Sequence, residues 1–259
     1  MTNLPARERL AGPATGSPRL RLPALVLAWL AASPAFGADC VAHSAGERPR
    51  LVELYTSEGC SSCPPAEAWL STLRDDPRWI GLEFHVDYWD ELGWPDRFAD
   101  ARYTARQRDI VARGDGRIVY TPQIVVDGRV WKDWPREPAP AATSASGLPL
   151  TLAVERADAL HVTIDAGSPA DAGKYRLYAA LAENGLVTAV AAGENRGRRL
   201  AHDQVVRAFE GPFDVPHAEA ELTPPPDADA ANSSVVAFAQ ETKGGAIVQV
   251  VRLPLSQCP

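Results

Sequence analysis

Two cysteines separated by two serines and followed at once by two prolines, Cys60-Ser61-Ser62-Cys63-Pro64-Pro65, constrain this chain more than any other feature. Proline is tolerated in a helix only in the first turn, where its missing N–H has no partner to lose. Trp69, Leu70 and Leu73 then recur at helical spacing, and Leu51-Val52-Glu53-Leu54-Tyr55 upstream reads as a short buried strand. The cysteine pair therefore stands in the turn between a strand and a helix. There the macrodipole and the unpaired N–H groups favour an anion, so Cys60 is expected to be an exposed nucleophile and Cys63 the thiol that resolves it. A free cysteine pKa of about 8.5 falls to between roughly 3.5 and 7.5 in such settings.

Other uses of this spacing are weighed against the neighbouring residues. Covalent haem attachment needs a histidine after the second cysteine, and Pro64 stands there. Zinc binding usually needs a second cysteine pair or two histidines, whereas Cys40 and Cys258 lie far from the motif in sequence. A copper site built from Cys60, Cys63 and His85, and a purely structural short disulfide, stay open as alternatives. Four cysteines allow three pairings, and reserving Cys60 for Cys63 leaves Cys40 to bond with Cys258. In the chain-entropy account so long a loop contributes up to roughly 5 kcal/mol.

The rest of the chain divides by composition. Six of seven tryptophans lie between Trp69 and Trp134, and none follows. In the first half, Ile80 to Val86 reads as a second strand, Arg97 to Arg113 as a helix, and Ile124-Val125-Val126 as a strand entering an Asp127-Gly128 turn, with Arg129-Val130-Trp131 returning. In the second half, 148–155, 161–164, 175–182, 204–209, 235–240 and 246–253 are short strand-like runs separated by turn signals. The expected fold is an α/β domain over 38–140, a Pro/Ala/Ser linker over 141–148 and a mostly antiparallel sandwich over 149–259.

The first 37 residues carry four arginines and one glutamate, so of 26 basic and 33 acidic residues the remainder keeps 22 and 32, a net charge of −10. Nucleic acid and anionic membranes are poor partners for such a surface. Arg19 and Arg21 precede an 11-residue apolar run from Leu22 to Ala32, followed by Ala35 and Gly37 at small-residue positions. A membrane span needs roughly 20 apolar residues, so residues 1–37 read as a signal peptide. The mature protein is expected in the periplasm or outside the cell, without stable membrane insertion, where disulfides persist.

The strings VELYTSEGCSSCPPAEAWL, FHVDYWDELGWPDRF and YTPQIVVDG give residues 50 to 135 a resemblance to the thioredoxin-like superfamily. Within it they resemble secreted bacterial proteins of unknown function, with a weaker echo in GENRGRRLAHDQVVRAFEG. The resemblance implies a thioredoxin-like fold and a thiol–disulfide site. It further implies a cis bond between Thr121 and Pro122, placing that segment opposite the cysteines to receive a substrate strand. Glu53 falls near the strand position where thioredoxin keeps a buried proton-relaying acid, although one more residue separates it from the first cysteine; as a lone carboxylate it reads equally as a structural or solvent-facing residue.

The expected activity is thus thiol–disulfide exchange on protein or small-molecule thiols with an unidentified redox partner and no cofactor. The alternative is a non-catalytic binding protein. His85 and Asp87 share a strand face, which suits metal ligation, and more often such a pair is a half-buried histidine and a turn acid. Tyr88, Trp89 and Trp94 serve either a peptide groove or packing, and Arg196, Arg198, Arg199 and His202 read as a solvated hairpin or, second, as a surface where the two domains dock. No P-loop, dinucleotide fingerprint, zinc-protease helix or nucleophile elbow is present.

Overall fold

The computed structural model describes residues 40–258 apart from 45–46, 115 and 137–147. The expected signal segment and most of the expected linker lie outside the described residues. What is described is mostly β-sheet, and this overturns the reading as an α/β thioredoxin-like domain followed by a separate β domain.

Among the described residues fourteen strands run in chain order: β1 Cys40–His43, β2 Arg50–Thr56, β3 Trp79–His85, β4 Gln123–Val126, β5 Arg129–Val130, β6 Leu150–Arg156, β7 Leu160–Ala166, β8 Tyr175–Glu183, β9 Leu186–Ala189, β10 Arg199–His202, β11 Val205–Phe213, β12 His217–Leu222, β13 Ser233–Glu241 and β14 Ile247–Pro254. Two α-helices, α1 Pro64–Thr72 and α2 Ala101–Arg113, lie among the early strands. Neither these nor any other described helix is long and apolar enough to cross a membrane.

One eight-stranded sheet, ordered β14-β13-β8-β11-β3-β2-β4-β5, runs through both halves of the sequence. The joint is the parallel contact of β11 with β3, through Val205 opposite Glu83, reinforced by the Glu83 N–H donating to the Gln204 carbonyl at 2.8 Å. A four-stranded sheet, β1-β6-β7-β12, covers part of one face, and β1, from the very start of the described chain, pairs antiparallel with β6. The halves are therefore interleaved. Cys40 on β1 is disulfide-bonded to Cys258 beyond β14, which ties the edge of the small sheet to the chain's end.

Period-two alternation decides what lies between the layers. Leu150, Leu152, Val162 and Ile164 of the small sheet pack on Leu177, Leu181, Val235 and Leu253 of the large one. On the large sheet's other face, Tyr178, Phe209 and Phe238 meet Phe84, Tyr55 and the α2 residues Tyr103 and Ile110. Val52, Leu54, Ile124 and Val126 turn the opposite way and pack on Ala66 and Leu70 of α1. The β4–β5 hairpin closes at Asp127-Gly128, both at positive φ. A Cβ on Gly128 would lie 2.0 Å from the Gly245 carbonyl oxygen, so the second half presses on this turn and only glycine fits.

Candidate functional site

Strand β2 delivers the chain to the cysteine pair, and α1 carries it away. Cys60 and Cys63 are joined in a disulfide, and no free cysteine occurs among the described residues. Cys63 has helical φ and ψ and is the N-cap of α1, with Pro64 and Pro65 at the helix start. These prolines sharpen the start but remove two N–H groups that would otherwise face an anion. Ala66 and Glu67 donate their N–H groups to the Cys63 carbonyl. The axial dipole remains the helix's contribution to a thiolate here.

Cys60 is fully buried, not exposed as the sequence suggests; Ser61 and Ser62 carry the exposure of the loop. Residues 193–195, between β9 and β10, bind the backbone of the loop that carries it. Asn195 is itself buried, and its Nδ2 donates to the carbonyls of Glu58 and Cys60, each at 2.9 Å. Ser61 donates its N–H to Glu194 at 3.0 Å. Arg198 orients Asn195 through its Oδ1 at 2.9 Å. The segment just before the basic cluster thus binds the cysteine loop, Arg198 of the cluster supports it, and His202 is buried rather than solvated.

Thr121 and Pro122 are joined by a cis peptide bond just before β4, whose Gln123 lies opposite Tyr55 of β2. Trp89 connects this segment to the cysteine loop. Its indole N–H donates to Thr121 Oγ1 at 2.8 Å, and its side chain lies against Gly59, next to Cys60. Trp94 plays a related part, donating to Glu58 Oε2 at 2.7 Å.

Glu53 does not join this group. In β2 it faces the α2 side with Leu51 and Tyr55, while α1 and the cysteine turn lie on the other side. Arg106 of α2 grips both of its oxygens, at 2.6 and 2.9 Å, and Tyr55 donates to Oε2 at 2.8 Å. Burial and the Glu53 carboxylate push the Tyr55 hydroxyl well above its ordinary pKa, keeping it a donor. Of the readings the sequence leaves open for Glu53, this geometry is that of the structural one, an ion-pair partner of Arg106.

The α1 face holds instead a buried set of six ionisable groups that sequence reasoning largely missed. Glu83 and His85 project from β3, His202 from β10, Glu67 from α1, and Glu58 and Asp96 from the turns beside them; all are buried. His85 Nδ1 lies 2.6 Å from Asp96 Oδ2, and its Nε2 lies 2.9 Å from Glu83 Oε1. His202 Nδ1 is 2.9 Å from the same Glu83 oxygen and 3.7 Å from Glu67 Oε2. Thr56 donates to Glu67 Oε1 at 2.6 Å, and the Glu58 N–H donates to Asp96 Oδ2 at 2.8 Å. Asp87, expected beside His85, accepts from Thr104 of α2 instead.

Burial opposes charge on His85, but Asp96 and Glu83 outweigh it and hold its pKa well above the ordinary value. His202 is raised by Glu83 against the same opposition from burial. Burial, then the neighbouring Glu83, pushes the Glu67 carboxyl up to about 7. Both nitrogens of His85 face carboxylates, so it does not turn to the cysteines as the copper alternative needs. Cys63 and Glu67 are one helical turn apart and both buried, so Glu67 joins this set to the helix turn that follows the disulfide.

The family model for DUF1223, a protein family of unknown function, matches residues 51–240. The chain belongs to this family. That span includes the cysteine loop, the cis-proline segment, all six buried ionisable groups and the 193–195 roof. Protein AGR_C_4864 from Agrobacterium tumefaciens, known by crystallography, is 26% identical, with a TM-score of 0.56 over 81% of this chain and 96% of its own. HBP35 of Porphyromonas gingivalis is 14% identical, with a TM-score of 0.57 over 81% of this chain and 76% of its own, a likeness of fold alone. No curated protein matches the DUF1223 chain.

Proposed function

We propose that this DUF1223 protein is an exported thiol–disulfide oxidoreductase using Cys60 and Cys63. The reading rests on one observation: a short disulfide at the N-terminus of a helix, with Trp89 bonded to Thr121 of the Thr121-Pro122 segment and packed on the cysteine loop. A substrate thiolate attacks Cys60 Sγ, breaking the Cys60–Cys63 bond, and Cys63 leaves as a thiolate that takes up a proton. A second substrate thiolate then attacks the substrate sulfur of the mixed disulfide and expels Cys60. The substrate dithiol is oxidised and the enzyme disulfide reduced; run backwards, the same steps reduce a substrate disulfide. Thr121 and Pro122 line the edge on which an extended substrate lies.

The buried Cys60 adds a condition: attack on its sulfur requires residues 193–195 to lift, so the second half of the chain controls access. Export is supported by the short apolar run before Ala35 and by the pairing of all four cysteines, which suits an oxidising compartment. The test is trapping. A Cys63→Ser variant incubated with reduced and oxidised client extracts is expected to accumulate mixed disulfides through Cys60, and a Cys60→Ser variant none. Equal absence of adducts in both would remove the proposal.

A further inference from the structure

We propose that Glu67, Glu83, His85 and His202 form a binding site for a divalent metal ion of the zinc class, independent of the cysteine pair. The donor atoms converge: one ligand atom from each of Glu83, His85 and His202 lies within 4.8 Å of the others, with all three residues buried. Contacts from Glu83 Oε1 to His85 Nε2 and to His202 Nδ1 are both 2.9 Å, and from His202 Nδ1 to Glu67 Oε2 the distance is 3.7 Å. Ligand atoms around a tetrahedral zinc, with bonds of about 2.0–2.1 Å, stand roughly 3.3 Å apart. The spacing brackets that value, so modest adjustments open the centre to an ion.

The surroundings are those of a ligand set with its outer supports in place. Metal-bound histidines usually give their second nitrogen to a carboxylate, which fixes the ring and its tautomer. His85 does so through Nδ1 to Asp96, and His202 turns Nε2 toward Glu58 Oε1 at 3.8 Å. Thr56 steadies Glu67. Three buried atoms of the set make no hydrogen bond among the described residues: Glu83 Oε2, Glu58 Oε1 and His202 Nε2. The unbonded Glu83 oxygen belongs to the residue that touches both histidines.

Charge points the same way. The ion pairs found for Glu58, Glu67, Glu83 and Asp96 among the described residues are all to these two histidines. With neutral imidazoles the four carboxylates face no cation, and buried charges persist only when paired or metal-coordinating. One divalent ion supplies the two charges that two imidazole protons otherwise provide, so the exchange of ion for protons is neutral overall. Two imidazoles with carboxylates and no thiolate select zinc, or manganese and iron(II), over copper(I).

The experiment is refolding of the full chain with and without zinc sulfate, removal of loosely held ion, and elemental analysis. One zinc per chain is expected in the wild type and in the Cys60→Ser, Cys63→Ser double variant, with a higher unfolding temperature than the zinc-free protein. His202→Gln and His85→Gln, which remove ligands, should each weaken zinc by more than the roughly 10–100-fold that loss of an outer-shell partner costs. Should those variants fail to fold, cobalt(II) in the wild type reads the donor set directly. Tetrahedral cobalt absorption without a thiolate-to-cobalt charge-transfer band supports the site. Less than stoichiometric zinc in the wild type, zinc lost in the cysteine double variant, or a thiolate band would overturn it. Because the double variant has no redox activity, failure of mixed-disulfide trapping and failure of metal binding are read separately.

Discussion

Two buried ionic assemblies stand on opposite faces of the same pair of strands, β2 and β3, and they are built on different terms. On the α2 face, Glu53 and Arg106 match one to one, and both carboxylate oxygens are bonded. The guanidinium is further sandwiched near Tyr178, Phe209 and Phe238, with its carbon 4.9, 5.2 and 5.1 Å from the ring centroids. On the α1 face, four carboxylates share two histidines, and three buried atoms are left without hydrogen bonds. A closed pair of equal charges does the work of architecture, locking a helix to a sheet. An open, unequal cluster on the helix face that carries the Cys60–Cys63 disulfide leaves donor atoms unused, which is what the proposed metal site needs and a scaffold does not.

The sharpest way to break this contrast is to unbalance the closed pair. Arg106→Met leaves Glu53 buried without its partner and should cost about 3–5 kcal/mol, as such truncations do. Replacing both by leucine and methionine should recover most of the loss, since a buried pair often gives way to apolar residues at little net cost. Urea denaturation of the single and double variants measures both effects. A single variant within about 1 kcal/mol of wild type would mean that the pair is not architecture, and the comparison fails.

Next in size is the contrast between the two disulfides. Removing Cys40–Cys258 as a double serine variant should lower stability by about 2–5 kcal/mol, because it joins residues 218 apart in sequence. Removing Cys60–Cys63, with a separation of three, should cost far less. Thermal unfolding of the two double variants checks the order. A larger loss from the Cys60–Cys63 variant would make the short bond structural.

What the sequence made legible follows from the range of the interactions involved. The cysteine turn, the start of α1 and the Asp127-Gly128 hairpin are decided by neighbours in the chain, and residue types alone place them. The continuous eight-stranded sheet is not local: β11 meets β3 through the single register pair Val205 and Glu83, which no alternation pattern encodes. So six strand-like runs of the second half were read near their places, while their union with the first half was not. The ionic cluster was hidden for a related reason. Glu67 sits on an ordinary helix, and Asp96 and Glu58 sit in turns. One signal was available, since Glu83 and His85 occupy alternate positions inside the apolar run Ile80 to Val86, where charge is out of place. His202, alternating with buried Leu200, carried a weaker version of it.

Asn195 sharpens the comparison from the site's side, because it binds the cysteine loop rather than the core. Asn195→Ala leaves the Glu58 and Cys60 carbonyls without these donors and should cost about 1–3 kcal/mol. It should also speed reduction of the Cys60–Cys63 bond by a small-molecule thiol, by more than the fall in global stability explains. If reduction keeps its wild-type rate, the 193–195 segment is not a roof over the disulfide.

The smallest effect is expected at Trp89, where architecture and site meet. Its ring packs on Gly59 and its N–H reaches Thr121, so Trp89→Phe keeps an aromatic body and removes only the hydrogen bond. Stability should change by about 1 kcal/mol. If the bond positions the Thr121-Pro122 edge for a substrate, mixed-disulfide formation in the Cys63→Ser background should slow with peptide clients yet keep its rate with a small thiol reagent that needs no edge. Equal slowing of both would place Trp89 with the packing residues, because loss of loop shape affects every attacker alike, whereas loss of a binding edge affects only those long enough to lie on it.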